Sequence, residues 1–358
     1  MKILADILSA TILFAVPLLL VALGGMFSER SGIINIALDG IMIIGALAAC
    51  LTLRAIDQGM ALVSPMKGLE QAAWGIHLGG YPLWLVRLML AISNHPQLGM
   101  CIALIIAALS GLVFSLLLAF ASISLKADQT IGGTALNLLA PALAITVSWA
   151  VQGQGKTTIL IPTWTRITQA SFGIAAADTF WQNFLFKSFY ITTPVAFVLL
   201  IVTVVVLYTT KFGLRLRSCG EHPQAADSVG VNVYRMRYAG VAISGFLAGI
   251  GGLAYTVAAG SGFQSTVMGY GFLALAVMIF GNWNPVSILG ASLFFALFKV
   301  VGAYSGSLAF LPSFKDVKSP EYIYLMLPYV VTMIVLILTS KKSRAPKAEG
   351  IPYDKGQR

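Results

Sequence analysis

Apolar stretches recur along the whole chain with only short polar breaks between them. A run of about 20 apolar residues crosses the hydrocarbon core of a bilayer. On that measure the pattern predicts helices at Ile7–Phe27, Ile33–Leu53, Met100–Ala121, Ile131–Val151, Tyr190–Tyr208, Tyr238–Gly260, Thr266–Gly281, Pro285–Tyr304 and Tyr322–Leu338. The expected fold is an all-α integral membrane protein with roughly nine to ten transmembrane helices. One membrane domain spans 1–340, and a basic tail follows over 341–358. The stretch Ala55–Leu98 breaks the rhythm with Pro65, Lys67, Glu70, Gly79, Gly80 and Pro82, and its apolar patch Pro82–Ile92 is too short to cross. It reads as an extra loop, re-entrant or lying on the surface.

Composition agrees. Of the 358 residues 58% are hydrophobic and 10% charged, against about 25% charged in a soluble domain. Too few charges are present to cover a water-facing surface. The net charge of +10 does not imply nucleic acid, because the basic residues cluster where a membrane topology explains them. One cluster, Lys211–Arg237, holds Arg215, Arg217, Arg235 and Arg237; the other is the tail, with Lys341, Lys342, Arg344, Lys347, Lys355 and Arg358. Lys and Arg favour cytoplasmic loops, and an even number of expected spans separates the two clusters, so both are placed in the cytoplasm. The loops Gln152–Lys187 and Ser305–Glu321 then fall outside, with Trp164, Trp181, Tyr304 and Tyr322 suited to an interfacial belt. Counting back puts the Ser28-Glu29-Arg30 turn inside and the N-terminus outside. The run Ile7–Leu23 after Lys2 lacks a clear cleavage site and reads as an uncleaved helix. Cys50, Cys101 and Cys219 form no disulfide or metal pattern.

Several polar or small residues interrupt the apolar runs. Ser31, Asn35 and Asp39 repeat every four positions and predict one polar helical face. Two readings stay open for them, and for Asn137: helix-packing hydrogen bonds, or the wall of an aqueous path. Pro141 permits a kink, Lys299 is expected to snorkel to an interface, and Gly245, Gly249, Gly251 and Gly252 suit close helix packing. The stretch Ala150–Thr157, AVQGQGKT, imitates a phosphate-binding loop. It follows a helix where such a loop needs a strand, so nucleotide binding is rejected. His77, His95 and His222 share no motif, and no nucleophile with a base, catalytic carboxylate pair or metal cluster appears. Catalysis and cofactors are therefore not expected in this polypeptide.

The polar loop Lys211–Arg237 is longer than two adjacent spans need and predicts a short helix of its own. Pro223 suits the first helical position, and Gly230 suits the left-handed position just past the end. Between them Ala225, Ala226 and Val229 are expected to share a small, smooth face. Such a face seats in a groove on another protein, or the loop only anchors topology. The run Gln224–Gly230 has the spacing of the EAA loop of ABC importer permeases, with Gln in place of Glu. The phrase Gly220–Ala254, with Phe27–Ala46 and Gly269–Pro285, resembles the permeases of the simple-sugar, nucleoside and branched-chain amino acid importers, and its nucleoside branch most closely. Ala37 and Asp39 stand where that branch usually shows Gly and Glu.

The resemblance implies an ABC importer permease fold in the bacterial inner membrane. It implies that Glu221–Val231, with Glu221, Pro223, Ala225, Ala226, Val229 and Gly230, forms a coupling helix against a separate ABC ATPase subunit. It further implies a second permease subunit, sister or identical, an extracytoplasmic substrate-binding protein, a surround of membrane lipid and no nucleic acid. Asn35, Asp39 and Asn137 are the candidates for the translocation pathway. A transporter of another class, ion-coupled and independent of ATP, is the competing reading, with Asp39 as its one plausible carboxylate.

Overall fold

The computed structural model describes residues 2–63, 89, 91–168, 180–186, 189–304, 326, 327, 329, 330, 333, 334, 337 and 345–355. Among these, seven helices are long and apolar enough to cross a membrane. They are α1 (Lys2–Arg30), α2 (Leu38–Val63), α3 (Pro96–Ala119), α4 (Gln129–Gln152), α6 (Thr192–Thr209), α9 (Val233–Ala259) and α11 (Pro285–Ala303). Shorter helices lie between them: α5 (Phe180–Phe186), α7 (Lys211–Glu221), α8 (Pro223–Ser228) and α10 (Tyr270–Phe280). Their ends follow local chemistry. Asp128 accepts the Thr130 and Ile131 amides at 2.8 and 2.9 Å to start α4, satisfying N–H groups that have no partner within the helix. Asn284 does the same for α11 through the Val286 amide at 3.0 Å.

The bundle is built around α9. Helices α1, α2 and α3 all pack on it, α10 and α11 lean on α1, and α4 touches mainly α2. Glycine makes the close approach possible, because a Cβ at Gly45 would lie 2.5 Å from Cα of Gly249, and one at Gly24 2.8 Å from the Ser244 carbonyl oxygen. At those separations any larger residue forces the helices apart, and among apolar helices packing is a main source of association. The outer helices face outward with apolar side chains such as Ile131, Leu138, Val198 and Ile201, all exposed.

The bundle also has a polarity. Arg30 closes α1 at the end where α7, α8 and the start of α9 gather Arg215, Arg217, Arg235 and Arg237. Since α1 runs toward this basic face, its N-terminus lies at the opposite one. That opposite face carries the end of α2, where Asp57 accepts the Trp164 indole N–H at 2.9 Å.

Two expected spans are not continuous helices. The run Ile33–Leu53 hides a break: residues 31–37 are irregular and α2 starts only at Leu38. Ser31 and Asn35 therefore precede the helix and share no helical face with Asp39. The same helix runs on to Val63, so 55–63 belong to it rather than to the extra loop, whose residues 64–88 lie outside the described residues. The run Thr266–Gly281 yields only the 11 residues of α10, about 16 Å at 1.5 Å per residue against a core of about 30 Å. Gly269, at φ 74°, turns the chain into it. The loop Lys211–Arg237 is mostly helix, with Arg235 and Arg237 on α9. The expected last span, Tyr322–Leu338, lies partly outside the described residues, which include helical positions from 326 to 337.

Candidate functional site

The two breaks meet. Ser244 stands eleven residues into α9 from Val233, about 16 Å above the basic face. Asn35 donates from Nδ2 to its hydroxyl at 2.9 Å, which carries the chain from Gly32, beside the basic face, to Asn35 within the membrane. Irregular backbone at that depth survives only where protein satisfies it, and side chains from distant helices do so. Gln129 accepts the Ile34 amide at 2.7 Å, and Ser28 donates to the Ile33 carbonyl at 2.8 Å. Asn137 clamps the junction from both sides, donating to the Ile36 carbonyl and accepting the Gly40 amide, each at 2.8 Å.

Asp39, in the first turn of α2, accepts the Gly271 amide from the first turn of α10 at 2.8 Å. The approach is so tight that a Cβ on Gly271 would strike the Asp39 backbone. Two helix N-termini thus face each other near mid-depth, each with the equivalent of about half a positive charge, and one carboxylate lies between them. Asp39 and Asn137 are half-buried, whereas Asn35 is fully buried. Asn35 therefore stands behind the junction and does not line its surface.

Lys299 departs from the expected snorkel. Its ammonium sits 4.0 Å from the ring centre of Tyr270, 4.7 Å from that of Phe14 and 5.6 Å from that of Tyr255. Cation–π attraction holds a charge in such a setting. On the face opposite the basic one, Arg54, Asp57, Gln58, Gln152 and Lys156, with Leu160 and Ile161, line a cavity of about 810 Å³. The phosphate-loop imitation falls here. Its Gly153 and Gly155 form a turn after α4, with no strand before them, so the rejection stands.

On the basic face α8 has the expected limits: Pro223 opens it, and Gly230 follows its end at φ 84°. Glu221 closes the preceding α7 instead. The expected common face of Ala225, Ala226 and Val229 divides. Ala226 is buried with Cys219, Val233 and Tyr353, while Ala225 and Val229 are exposed. The reason is a segment that local pattern cannot reveal, residues 345–355, which lies against the inner side of α8. Burial there pushes the Cys219 thiol up from its ordinary pKa. Burial also pushes the Glu349 carboxyl up to about 7, beside its hydrogen-bonded neighbour Glu29. Glu29 in turn accepts the Trp283 indole N–H at 2.6 Å, and Arg30 donates to the Trp283 carbonyl at 2.7 Å. These bonds anchor Trp283, which stands at φ 54° after Asn282 at φ 52°, backbone values that bulky residues seldom adopt.

A helical bundle in the membrane, broken near mid-depth and carrying a short helix on its basic face, has the design of a membrane permease. The chain belongs to the family described as branched-chain amino acid transport system / permease component, whose sequence profile matches residues 7–336. It is 38% identical over 358 residues to the guanosine ABC transporter permease protein NupQ of Bacillus subtilis, covering 100% of this chain and 99% of that one. It is 37% identical over 354 residues to the nucleoside ABC transporter permease protein NupC of Lactococcus lactis, covering 98% and 97%. The putative glucose ABC transporter permease protein TsgC13 of Haloferax volcanii is 27% identical over 314 residues, covering 85% and 79%. No solved structure matches the chain. The protein is a multi-pass protein of the bacterial inner membrane.

Proposed function

We propose that this chain is the membrane permease subunit of an ATP-driven ABC importer for nucleosides. The observation that carries the reading is full-length similarity to two proteins named for guanosine and nucleoside transport, at 38% and 37% identity. The more distant likeness to a glucose permease fits a solute that contains a sugar. In this reading the permease hydrolyses nothing. A separate ATPase burns ATP, a second permease subunit completes the pore, and an extracytoplasmic protein delivers the solute. The domain over 1–340 crosses the bilayer nine to ten times, the half-length α10 and the helical positions between 326 and 337 included.

The basic face is the cytoplasmic one, and the ATPase meets α8 there. Ala225 and Val229 make its contact surface, Pro223 and Gly230 set its length, Ala226 seats it from behind, and Glu221 ends the helix α7 that leads into it. Asp39 and Asn137 line the translocation pathway, with Asn35 supporting them. The support for this is physical: a half-buried carboxylate at mid-depth cannot face lipid without heavy cost, so it faces an aqueous path or a partner chain. Half-helix N-termini that meet near the bilayer centre are a common way to build a solute site in transporters. The test is uptake by the reconstituted complex with nucleosides, ribose-like sugars and branched-chain amino acids as competitors. Competition by nucleosides alone is expected, and failure of every nucleoside to compete overturns the substrate assignment.

A further inference from the structure

The segment 345–355 touches four separate parts of the basic face. Its Ala348 amide donates to the Gly220 carbonyl at 2.8 Å, at the end of α7. Its Gly350 amide donates to the Gly32 carbonyl at 3.3 Å, inside the break that leads to Asp39. Arg237 of α9 donates to the Ile351 carbonyl at 3.0 Å. Asp354 pairs with Lys126 at 2.9 Å, on the turn before α4. Between these anchors the Tyr353 side chain, 5% exposed, packs on Ala226, Cys219 and Val233, with its ring centre 5.4 Å from that of Tyr234.

Helix α8 has six residues, far fewer than the roughly 12–15 an isolated helix needs for even marginal stability. Only Pro223 and Ala226 of α8 are buried, and Tyr353 packs against Ala226. The position of α8 is therefore set by what lies behind it. The same short segment holds the start of the midplane break, because a Cβ on Gly350 would lie 2.9 Å from Ile34.

Resting on the reading of α8 as the ATPase contact, we propose that residues 345–355 form a transmission strap in which Tyr353 is the positioning residue. The strap fixes α8 from its inner side and joins its displacement, through Gly350 and Gly32, to the break that ends at Asp39. It works beside the direct packing of α7 and α8 on α9. It leaves Ala225 and Val229 uncovered, so it supports the partner surface without competing for it.

The test uses the full complex in proteoliposomes and records nucleoside uptake and ATP hydrolysis in the same samples. Tyr353→Ala is expected to lower uptake per ATP by at least about five-fold, the lower edge of ordinary coupling strengths, while Tyr353→Phe keeps the wild-type ratio. Gly350→Val, which puts a branched side chain against Ile34 and strains the backbone at φ 77°, unseats the strap without altering Tyr353 and is expected to lower the ratio as well. This second variant tests the strap even where Tyr353→Ala fails to assemble. A wild-type ratio in Gly350→Val, or in an assembled Tyr353→Ala complex, overturns the strap. An Ala225→Cys permease that cross-links to the ATPase in those samples keeps the reading of α8 intact. Absence of that cross-link in the otherwise wild-type permease overturns the reading of α8, and the strap with it.

Discussion

Residues 31–37 and residues 222–232 both interrupt helices, yet they are held in opposite ways. In the first, Asn137 and Gln129 on the distant α4 and Ser28 at the end of α1 hold the backbone, while Ser244 on α9 holds the Asn35 side chain. In the second, a six-residue helix stands between two turns, with Ala226 seated among Cys219, Val233 and Tyr353. The difference follows from solvent. Within the bilayer an unpaired amide or carbonyl has no water to turn to, so the break is fixed on every side. On the basic face water satisfies what protein does not, and α8 is free to be weakly held. A rigid junction and a movable lever are what a device needs when a partner moves one part to change another.

Asn137→Ala attacks the rigid half and has the largest expected effect. It leaves the Gly40 amide and the Ile36 carbonyl without partners, at about 1–3 kcal/mol for each. Thermal unfolding in detergent is expected to show a melting point several degrees lower, together with lost uptake. An unchanged melting point contradicts the clamp. Asp39→Asn separates fold from path. The amide oxygen still accepts the Gly271 N–H that Asp39 now accepts at 2.8 Å, so the melting point is expected to stay within a degree or two while uptake falls. Wild-type uptake in this variant removes Asp39 from the pathway.

The movable half is read through pH, with a smaller effect. Glu349 sits near 7 while the strap is seated, against an ordinary 4.5. The seated strap therefore holds a proton that a free strap gives up between those values. Seating is tightest below the ordinary value and weakens as pH rises through about 7, after which it levels off. The titratable group hydrogen-bonded to Glu349 is Glu29, and the nearby Arg30 and Arg237 keep their charge at every pH of the test. Protease protection of residues 345–355 is expected to be greater near pH 6 than near pH 8, and Glu349→Gln to remove that dependence. Equal protection at both values contradicts a strap seated by a neutral carboxyl.

How far the sequence revealed these two regions depends on where their partners lie. Pro223 and Gly230 announced α8 because a helix start and stop are local matters. The inward turn of Ala226 was hidden, because it depends on Tyr353, far along the chain. The break at 31–37 carries a helical pattern in the sequence, because Ile33–Leu53 is largely apolar and Ser31, Asn35 and Asp39 fall at helical spacing. Gln129 and Asn137 hold it open, and both lie about a hundred residues on. A local signal did exist at the second break: Ser265, Thr266 and Gly269 crowd the start of the run that was expected to span as Thr266–Gly281. Asp39, Asn35 and Asn137 stand out in the sequence as polar residues within apolar runs, and the structure brings all three to one junction, with Asn35 buried behind the others. Gln129 and Tyr353 carry no such signal, being an ordinary polar residue beside a loop and an aromatic in a basic tail.

The central claim is that work enters at the uncovered side of α8. Ala225→Arg places a bulky charge on that side without touching Tyr353, the strap or the break. ATP-dependent nucleoside uptake by the reconstituted complex is expected to fall to background while the melting point of the permease is unchanged. Uptake at the wild-type rate, still driven by ATP, would contradict the account.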